Sequence, residues 1–211
     1  MRTREEAFWD RLAKHFDWLE SKDAPINARI VELTRRHLAP GDTVLDCGCG
    51  TGTAALALAG GVGRVVGIDL SRNMIERATA KCAAAAVTNC SFLHGTIEDP
   101  ALRERPFDAV LAFYLLHLLD DAPRFLRAAR GLLKPGGLLV SATPCLERTS
   151  YGVVLPLAGR LHLVPPIALF SVTGLERLMT DGGLELVESV CLHDSGKQQF
   201  IVARKPARGA P

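Results

Sequence analysis

A glycine loop followed by one acidic residue is the part of the sequence whose residue types could do chemistry. Gly48, Gly50 and Gly52 fall within five positions directly after an apolar run, and Asp69 follows nineteen residues after Gly50. Glycines let a backbone approach a ligand closely, and an acid at the end of the next strand can accept hydrogen bonds from both ribose hydroxyls. The pattern therefore predicts a site for a nucleoside-containing ligand, and its alternative is a plain tight turn between strand and helix.

The spacing of the glycines separates two kinds of nucleotide ligand. The dinucleotide fingerprint is G-x-G-x-x-G, whereas this loop follows G-x-G-x-G, and Thr53 stands at the usual third glycine. A pyrophosphate needs backbone amides aimed at it from a helix N-terminus, and the sequence shows no second, nicotinamide-binding half. We therefore expect an adenosyl ligand without phosphates, with a nicotinamide-dependent oxidoreductase as the less favoured alternative.

Length and composition favour one globular domain over residues 1–211. The chain is 48% hydrophobic, and 25 basic residues against 23 acidic ones give a net charge of only +2. Because a nucleic-acid-binding protein usually shows a concentrated basic face, we expect no nucleic-acid partner. No signal-peptide pattern and no run of eighteen apolar residues occurs, which predicts a cytoplasmic protein.

The six cysteines do not form a pattern that predicts a disulfide framework or a metal centre. Cys47 and Cys49 flank Gly48, but a structural zinc site needs a second pair, and the sequence contains none. We therefore expect no bound metal and interpret both cysteines as small, buried fillers beside the glycines.

The elements that must position the loop alternate between strand and helix. Residues 4–20 and 26–38 have helical spacing, with Phe8, Leu12, Phe16 and Leu19 on one face of the first helix. A capping box starting at Thr173 predicts the last helix, and two strands follow it without a helix between them, so they should pair antiparallel. Strands are predicted over 43–47, 64–69, 89–95, 107–113, 138–143, 184–192 and 198–203.

This order predicts an α/β fold, a Rossmann-like, doubly wound and mostly parallel seven-stranded sheet with a C-terminal antiparallel hairpin. In such sheets a ligand lies at the carboxyl ends of the parallel strands. The loops after residues 47, 69, 95, 113 and 143 should therefore surround one site.

With these elements in place, three stretches of the sequence resemble class I S-adenosylmethionine-dependent methyltransferases. They are "VLDCGCGTGTAA", "VVGIDLSRNMIERA" and "FDAVLAFYLLHLLDDAPRFLRAARGLLKPGGLLV". The similarity covers about residues 8–143 and is greatest to the methyltransferase type 11, or ubiquinone and menaquinone, branch. It implies S-adenosylmethionine as cofactor and S-adenosylhomocysteine as product.

The resemblance also implies which residues hold the cofactor. Asp46 and the glycines would surround its methionyl and ribose end, Asp69 would bind the ribose diol, and Leu70 and Met74 would lie beside the adenine. Thr96 stands where the family often has an acid, and Glu98 or Asp99 could compensate or could simply cap a helix. The full set implied is Asp46, Gly48, Gly50, Gly52, Asp69, Leu70, Met74, Thr96, Ile97, Glu98 and Phe113.

Few residues are candidates for assisting the reaction itself. Attack on a sulfonium methyl needs alignment and exclusion of water, and a base only when the acceptor is protonated. His117 follows the fourth strand, where relatives often have a histidine, and could act as a base or brace the loop. Tyr114 could border the methyl group, while the apolar Phe113 argues against methylation of nucleic-acid bases.

Two segments are predicted to cover the site. The helices over residues 1–38 resemble an N-terminal lid. Phe16 stands there where relatives often have tyrosine, and as a predicted substrate residue it could still shield the site with its ring, although it lacks the phenolic hydroxyl. Residues 144–172 form a long, apolar connection that predicts either a cap over an apolar substrate pocket or a dimer or membrane interface. The polar residues there that could orient a substrate are Glu147, Tyr151, Arg160 and His162.

The function expected is therefore methyl transfer from S-adenosylmethionine to a small, hydrophobic or amphiphilic acceptor. One alternative is a lipid or quinone-precursor methyltransferase in peripheral contact with a membrane surface. Another is a non-catalytic S-adenosylmethionine-binding protein with a regulatory role. A monomer and a homodimer are both compatible with the sequence.

Overall fold

The computed structural model describes residues 3–104, 106–146, 167–192 and 198–207. They form two compact units, residues 1–111 and 112–211, so a single domain over the whole chain stays a prediction. The strands follow the order β3-β2-β1-β4-β5-β7-β6. This confirms the predicted Rossmann-like α/β sheet with its antiparallel C-terminal hairpin.

The first unit consists of a parallel sheet and its helices. Its first, second and fourth strands are largely apolar and buried, as expected for strands covered on both faces, whereas its third strand is half-buried. In the register, Leu45 of the first strand lies opposite Val66 of the second and Val110 of the fourth. The elements are α1 (Arg4–Ser21), α2 (Ala24–Arg35), β1 (Thr43–Cys47), α3 (Thr53–Ala59), β2 (Arg64–Asp69), α4 (Arg72–Ala84), β3 (Cys90–His94) and β4 (Phe107–Phe113), with a 3-10 helix at Pro100–Glu104. The last two residues of β4 are counted with the second unit.

The second unit is dominated by antiparallel pairing. Its central strand pairs with both neighbours, and Ser141 lies opposite Ile201, which in turn lies opposite Ser189. The predicted hairpin of the last two strands is present. The elements are a 3-10 helix at Leu116–Leu118, α5 (Ala122–Leu132), β5 (Leu133–Pro144), α6 (Val172–Asp181), β6 (Glu185–Cys191) and β7 (Gln198–Arg204).

Two element boundaries in the second unit differ from the prediction. β5 begins at Leu133, directly after α5, because the Pro135–Gly137 turn is drawn into the ladder by mutual backbone bonds with Lys205. The N-cap of α6 is Ser171, whose hydroxyl accepts from the Gly174 amide. Glu176, expected to complete a capping box, accepts instead from Ser189 on β6.

The buried face of α1 also differs from its apolar stripe. Leu19 is 37% exposed, whereas Asp10 and Ala13 are buried. Asp10 accepts from the Ser71 hydroxyl and the Asn73 amide at the start of α4. A polar contact between two helices, invisible to hydrophobic periodicity, therefore sets the orientation of α1.

No helix within the described ranges combines the length and apolar composition that crossing a bilayer requires.

Candidate functional site

The glycine loop between β1 and α3 has a backbone conformation that residues other than glycine rarely adopt. Gly48, Gly50 and Gly52 have φ angles of 67°, 52° and 80°, which lie in the left-handed region that favours glycine. The amides of Gly48 and Cys49 donate to the carbonyl of Ile68 at 2.8 and 3.1 Å. The loop is therefore held against the end of β2, where Asp69 lies.

The Asp69 carboxylate joins the loop to the start of α4. Its Oδ2 accepts from the Gly50 amide at 2.9 Å, and its Oδ1 accepts from the Ser71 amide at 2.8 Å. Burial raises the pKa of Asp69, while the bonds from Ser71 and Gly50 oppose that rise. Because a carboxylate oxygen can accept two hydrogen bonds, each oxygen keeps capacity for a further donor.

Asp46, on β1, is a buried carboxyl in acidic surroundings. Its residue is 2% exposed, and its Oδ2 has no hydrogen-bond partner among the described residues. Burial, followed by the nearby charges of Asp69 and Glu20, raises the pKa of Asp46 to about 7. The side chain is therefore poised between its neutral and charged forms at physiological pH.

Helix α1 packs directly onto the glycine loop. A Cβ atom at Gly50 would lie 3.0 Å from Cε1 of Phe16, so the phenyl ring rests against the loop and a larger residue at position 50 would displace it. One turn further on, Glu20 accepts a hydrogen bond from the Thr53 hydroxyl at 2.7 Å. The structure thus places Phe16 of the predicted lid against the glycine loop.

Asp17 is the centre of a charged cluster formed by Asp17, Thr51, Arg77 and Lys81, here called the Asp17 cluster. The carboxylate accepts from the Thr51 hydroxyl at 2.6 Å, from Arg77 at 2.9 Å and from Lys81. Partial burial opposes its ionisation, but the bonds from Lys81, Thr51 and Arg77 lower the pKa of Asp17 to about 2. The cluster therefore ties α1, the loop and α4 together through a permanent charge.

The segment after β3 carries the residues expected at the adenine edge. The His94 ring is hydrogen-bonded to the Leu70 carbonyl at 3.0 Å, Thr96 and Glu98 are exposed, and Ile97 is half-buried. The Thr96 hydroxyl accepts from the Glu98 amide at 3.4 Å.

Asp99 and Met74 complete this part of the first unit. Asp99 accepts from the Ala101 amide at the start of the 3-10 helix, so of the two acids considered as caps it is Asp99 that caps. Met74 is a buried residue of α4.

The residues expected to assist the reaction lie in the second unit. Phe113 is buried at the end of β4, and Tyr114 follows with φ 53°, a strained conformation for a non-glycine residue. Burial lowers the pKa of His117 to about 4, and its Nδ1 is buried without a partner among the described residues. Its carbonyl accepts from the Ala168 amide at 2.8 Å.

Four predicted substrate residues, Glu147, Tyr151, Arg160 and His162, lie outside the described residues. Only residues 144–146 and 167–172 of the predicted cap are described. Within the described ranges, no group of three His, Cys, Asp or Glu side chains is arranged to hold a metal ion.

Sequence reasoning missed the polar residues of α1 that meet the site. Asp10, Asp17 and Glu20 make contacts with residues from 33 to 64 positions further along the chain. A signal was their i, i+7 and i+10 spacing, which places acids along one side of a helix otherwise judged by its apolar face.

Comparison with known proteins finds a domain family that is similar to the glycine-loop region. Residues 44–137 match the family of methyltransferase domains. Demethylmenaquinone methyltransferase from Bacillus cereus (strain AH187) is 30% identical over 138 residues, which cover 58% of this chain and 56% of that protein. The alignment therefore spans just over half the length of this relative.

Solved structures extend the likeness to the fold of most of the chain. A SAM-dependent methyltransferase from Aquifex aeolicus has a TM-score of 0.67 and 21% identity, covering 82% of this chain and 88% of that one. Magnesium protoporphyrin IX methyltransferase from Synechocystis PCC 6803, with bound SAH, has a TM-score of 0.66 and 19% identity, covering 87% and 83%. These structures confirm the predicted fold, and the similarity of residues 44–137 to methyltransferase domains agrees with the resemblance seen in the sequence.

We expect the stability of α1 against local opening to depend on the Asp17 cluster. Asp17→Asn should speed amide hydrogen exchange in α1 about three- to tenfold, because it removes a charged hydrogen-bond acceptor worth roughly 1 kcal/mol. Asp23→Asn is the matched control, since Asp23 is exposed at the start of α2 and its side chain makes no capping bond.

In the wild-type protein, the same protection should persist to about pH 4 and decline as the pH falls toward 2, because Asp17 then becomes protonated. Unchanged exchange in the Asp17 variant would show that the cluster does not hold α1.

Asp46 predicts an unusual dependence of stability on pH. The unfolded carboxyl ionises near pH 4 and the folded one near pH 7, so the folded state holds the extra proton between these values. Wild-type stability should therefore fall as the pH rises from about 4 to about 7 and then level off. Asp46→Asn cannot ionise and should gain about 2–3 kcal/mol on the wild type between pH 5 and pH 8.

The gain is measured by thermal unfolding of both proteins at pH 5 and at pH 8. The difference in free energy of unfolding between variant and wild type is compared at the two pH values, so any effect of the amide that does not depend on pH cancels. Asp181→Asn, an exposed change at the end of α6, should behave as wild type. An equal offset at both pH values would contradict the ionisation assigned to Asp46.

Proposed function

We propose that this chain, through its methyltransferase domain, transfers a methyl group from S-adenosylmethionine to a small hydrophobic or amphiphilic acceptor and releases S-adenosylhomocysteine. The observation that carries the proposal is the Asp69 carboxylate. It is fixed by the amides of Gly50 and Ser71 and keeps one lone pair on each oxygen. Two neighbouring hydroxyls, as in a ribose diol, match that arrangement.

The charge around the loop favours a cationic ligand over a phosphate. Asp69 and Glu20 lie close enough to Asp46 for their negative charges to act on it. A cluster of acidic side chains repels a pyrophosphate and attracts a positive charge. This electrostatic argument supports S-adenosylmethionine over a nicotinamide dinucleotide.

S-adenosylmethionine supplies, when bound, a methyl group already activated on a sulfonium centre. In our proposal Asp46 and the three glycines hold its methionyl and ribose end, and Asp69 its ribose diol. Phe16 excludes water at the loop through its packing on Gly50. Leu70, Met74, Thr96, Ile97, Glu98 and Phe113 remain the proposed lining around the rest of the cofactor.

His117 is proposed to act mainly as a brace. A conjugate acid with a pKa of about 4 belongs to a weak base, and Nδ1 is inaccessible to a substrate. Its carbonyl meanwhile holds Ala168, near the end of the predicted cap. Proton removal through Nε2 is the alternative, and Tyr114, in its strained conformation, is proposed to border the methyl group.

Two observations support an apolar or amphiphilic acceptor. Residues 144–172 are unusually apolar for a connection, and the demethylmenaquinone methyltransferases that resemble the chain are named for an acceptor of this kind. We therefore favour a quinone-like or other amphiphilic acceptor, with reaction at a membrane surface as the finer alternative.

Ligand-induced stabilisation tests the cofactor. S-adenosylhomocysteine at about 100 times its Kd should raise the Tm by roughly 5–10 °C, whereas NAD should leave it unchanged. Asp69→Asn should reduce or abolish this shift, because an NH2 group replaces one of the two oxygens that would accept from the ribose diol. Asp42→Asn, which lies in the turn before β1, should keep it. Stabilisation by NAD alone would refute the proposal.

Methyl transfer itself is tested with radiolabelled S-adenosylmethionine. Label should enter the lipid-soluble fraction of a cell extract more than the water-soluble metabolites or proteins, since the acceptor is expected to be apolar. Addition of anionic vesicles should increase the rate if the reaction takes place at a membrane surface. Binding of the cofactor without label in any fraction would instead favour a non-catalytic regulatory protein.

A further inference from the structure

The structure leaves one buried charge site in the first unit without a partner. Only 2% of the Asp46 residue is exposed, and its Oδ2 has no hydrogen-bond donor among the described residues. A buried carboxylate without a cation or donors is strongly disfavoured, because nothing replaces the water it has lost. The neutral carboxylic acid avoids that cost.

None of the described groups near Asp46 stabilises its ionised form. The charged ones disfavour ionisation, and the others are neutral. Glu20 reaches it from α1 and Asp69 from β2, and both are acidic. The nearby thiols, on β1, the glycine loop and β3, add no charge. Burial above all, with a smaller contribution from Asp46, raises the pKa values of these thiols, so they stay neutral: Cys47, Cys49 and Cys90. No described lysine or arginine compensates Asp46, since Lys81 and Arg77 are engaged with Asp17.

We propose that Asp46 is a neutral acid in the ligand-free protein and loses its proton when a positively charged ligand enters the glycine-loop site, so that cofactor binding is coupled to proton release. The inference rests on the proposed function, because the positive charge is that of S-adenosylmethionine. The balance is simple: the carboxylic O–H bond breaks, the carboxylate stays as counter-charge to the ligand, and the proton passes to solvent.

This coupling makes the affinity for the cofactor depend on pH. Below about pH 7 the protein must give up a proton to bind, so affinity should rise up to tenfold for each pH unit between 5 and 6.5. Above about pH 7.5 the carboxyl is already charged, and the dependence should level off. A free α-amino group titrates near pH 8, so measurements from pH 5 to 7.5 keep the ligand itself in one form.

Isothermal titration of S-adenosylmethionine into the full-length protein at pH 6, in two buffers of different ionisation enthalpy, tests the proposal. The difference in heat should report close to one proton released per ligand bound. Asp46→Asn should bind with almost no proton release, while Asp181→Asn should release as many protons as the wild type.

S-adenosylhomocysteine identifies which positive charge is responsible. It keeps the ammonium of S-adenosylmethionine but lacks the sulfonium. Equal proton release with both ligands assigns the effect to the ammonium, and release with S-adenosylmethionine alone assigns it to the sulfonium. Both results support the coupling at Asp46.

A second measurement keeps the test decisive if Asp46→Asn fails to fold or bind. In the wild-type protein, infrared difference spectra should show the loss of a protonated carboxyl C=O band on addition of ligand, with an isotope shift after labelling of aspartate. Binding without proton release and without this band would overturn the inference and leave the proposed function standing. Unchanged proton release in Asp46→Asn would also overturn it, whereas the absence of any binding would instead refute the proposed function.

Discussion

The first unit depends on the contact between the Asp69 carboxylate and the Gly50 amide. It lies where β2 ends, and it fixes a loop whose glycines occupy a backbone region closed to most side chains. The second oxygen of the same carboxylate holds the Ser71 amide, and the Ser71 hydroxyl caps α4. One side chain thus sets the relative positions of the loop and the helix that follows β2, while lone pairs remain for a ligand.

A second layer of polar contacts places α1 against that loop. Asp10 meets the start of α4, Asp17 meets Thr51 and Lys81, and Glu20 meets Thr53. These bonds bring Phe16 onto Gly50 without relying on a fully buried apolar face. Their strength comes from charge, so they are specific in direction and can be broken locally without unfolding the sheet.

The carboxyls near the loop differ in protonation because their surroundings differ. Asp17 has three donors and a pKa of about 2, whereas Asp46 has burial and acidic neighbours and a pKa of about 7. The contrast follows from the number of compensating donors and cations, since the two residues have the same side chain. Asp17 is therefore a permanent structural charge, whereas Asp46 is a carboxyl that we propose ionises when a cationic ligand binds.

The sequence by itself determined the order of strands and helices, the glycine loop, the acid at the end of β2 and the resemblance to methyltransferases, because these follow from local periodicity and from residue types at short spacing. Only the tertiary structure decided that Asp10, Asp17 and Glu20 contact the glycine loop and α4 and that Oδ2 of Asp46 has no partner among the described residues. The start of β5 at Leu133 likewise depends on Lys205, far along the chain. Hydrogen bonds between distant residues, and the burial that isolates a charge, exist only once the chain is folded.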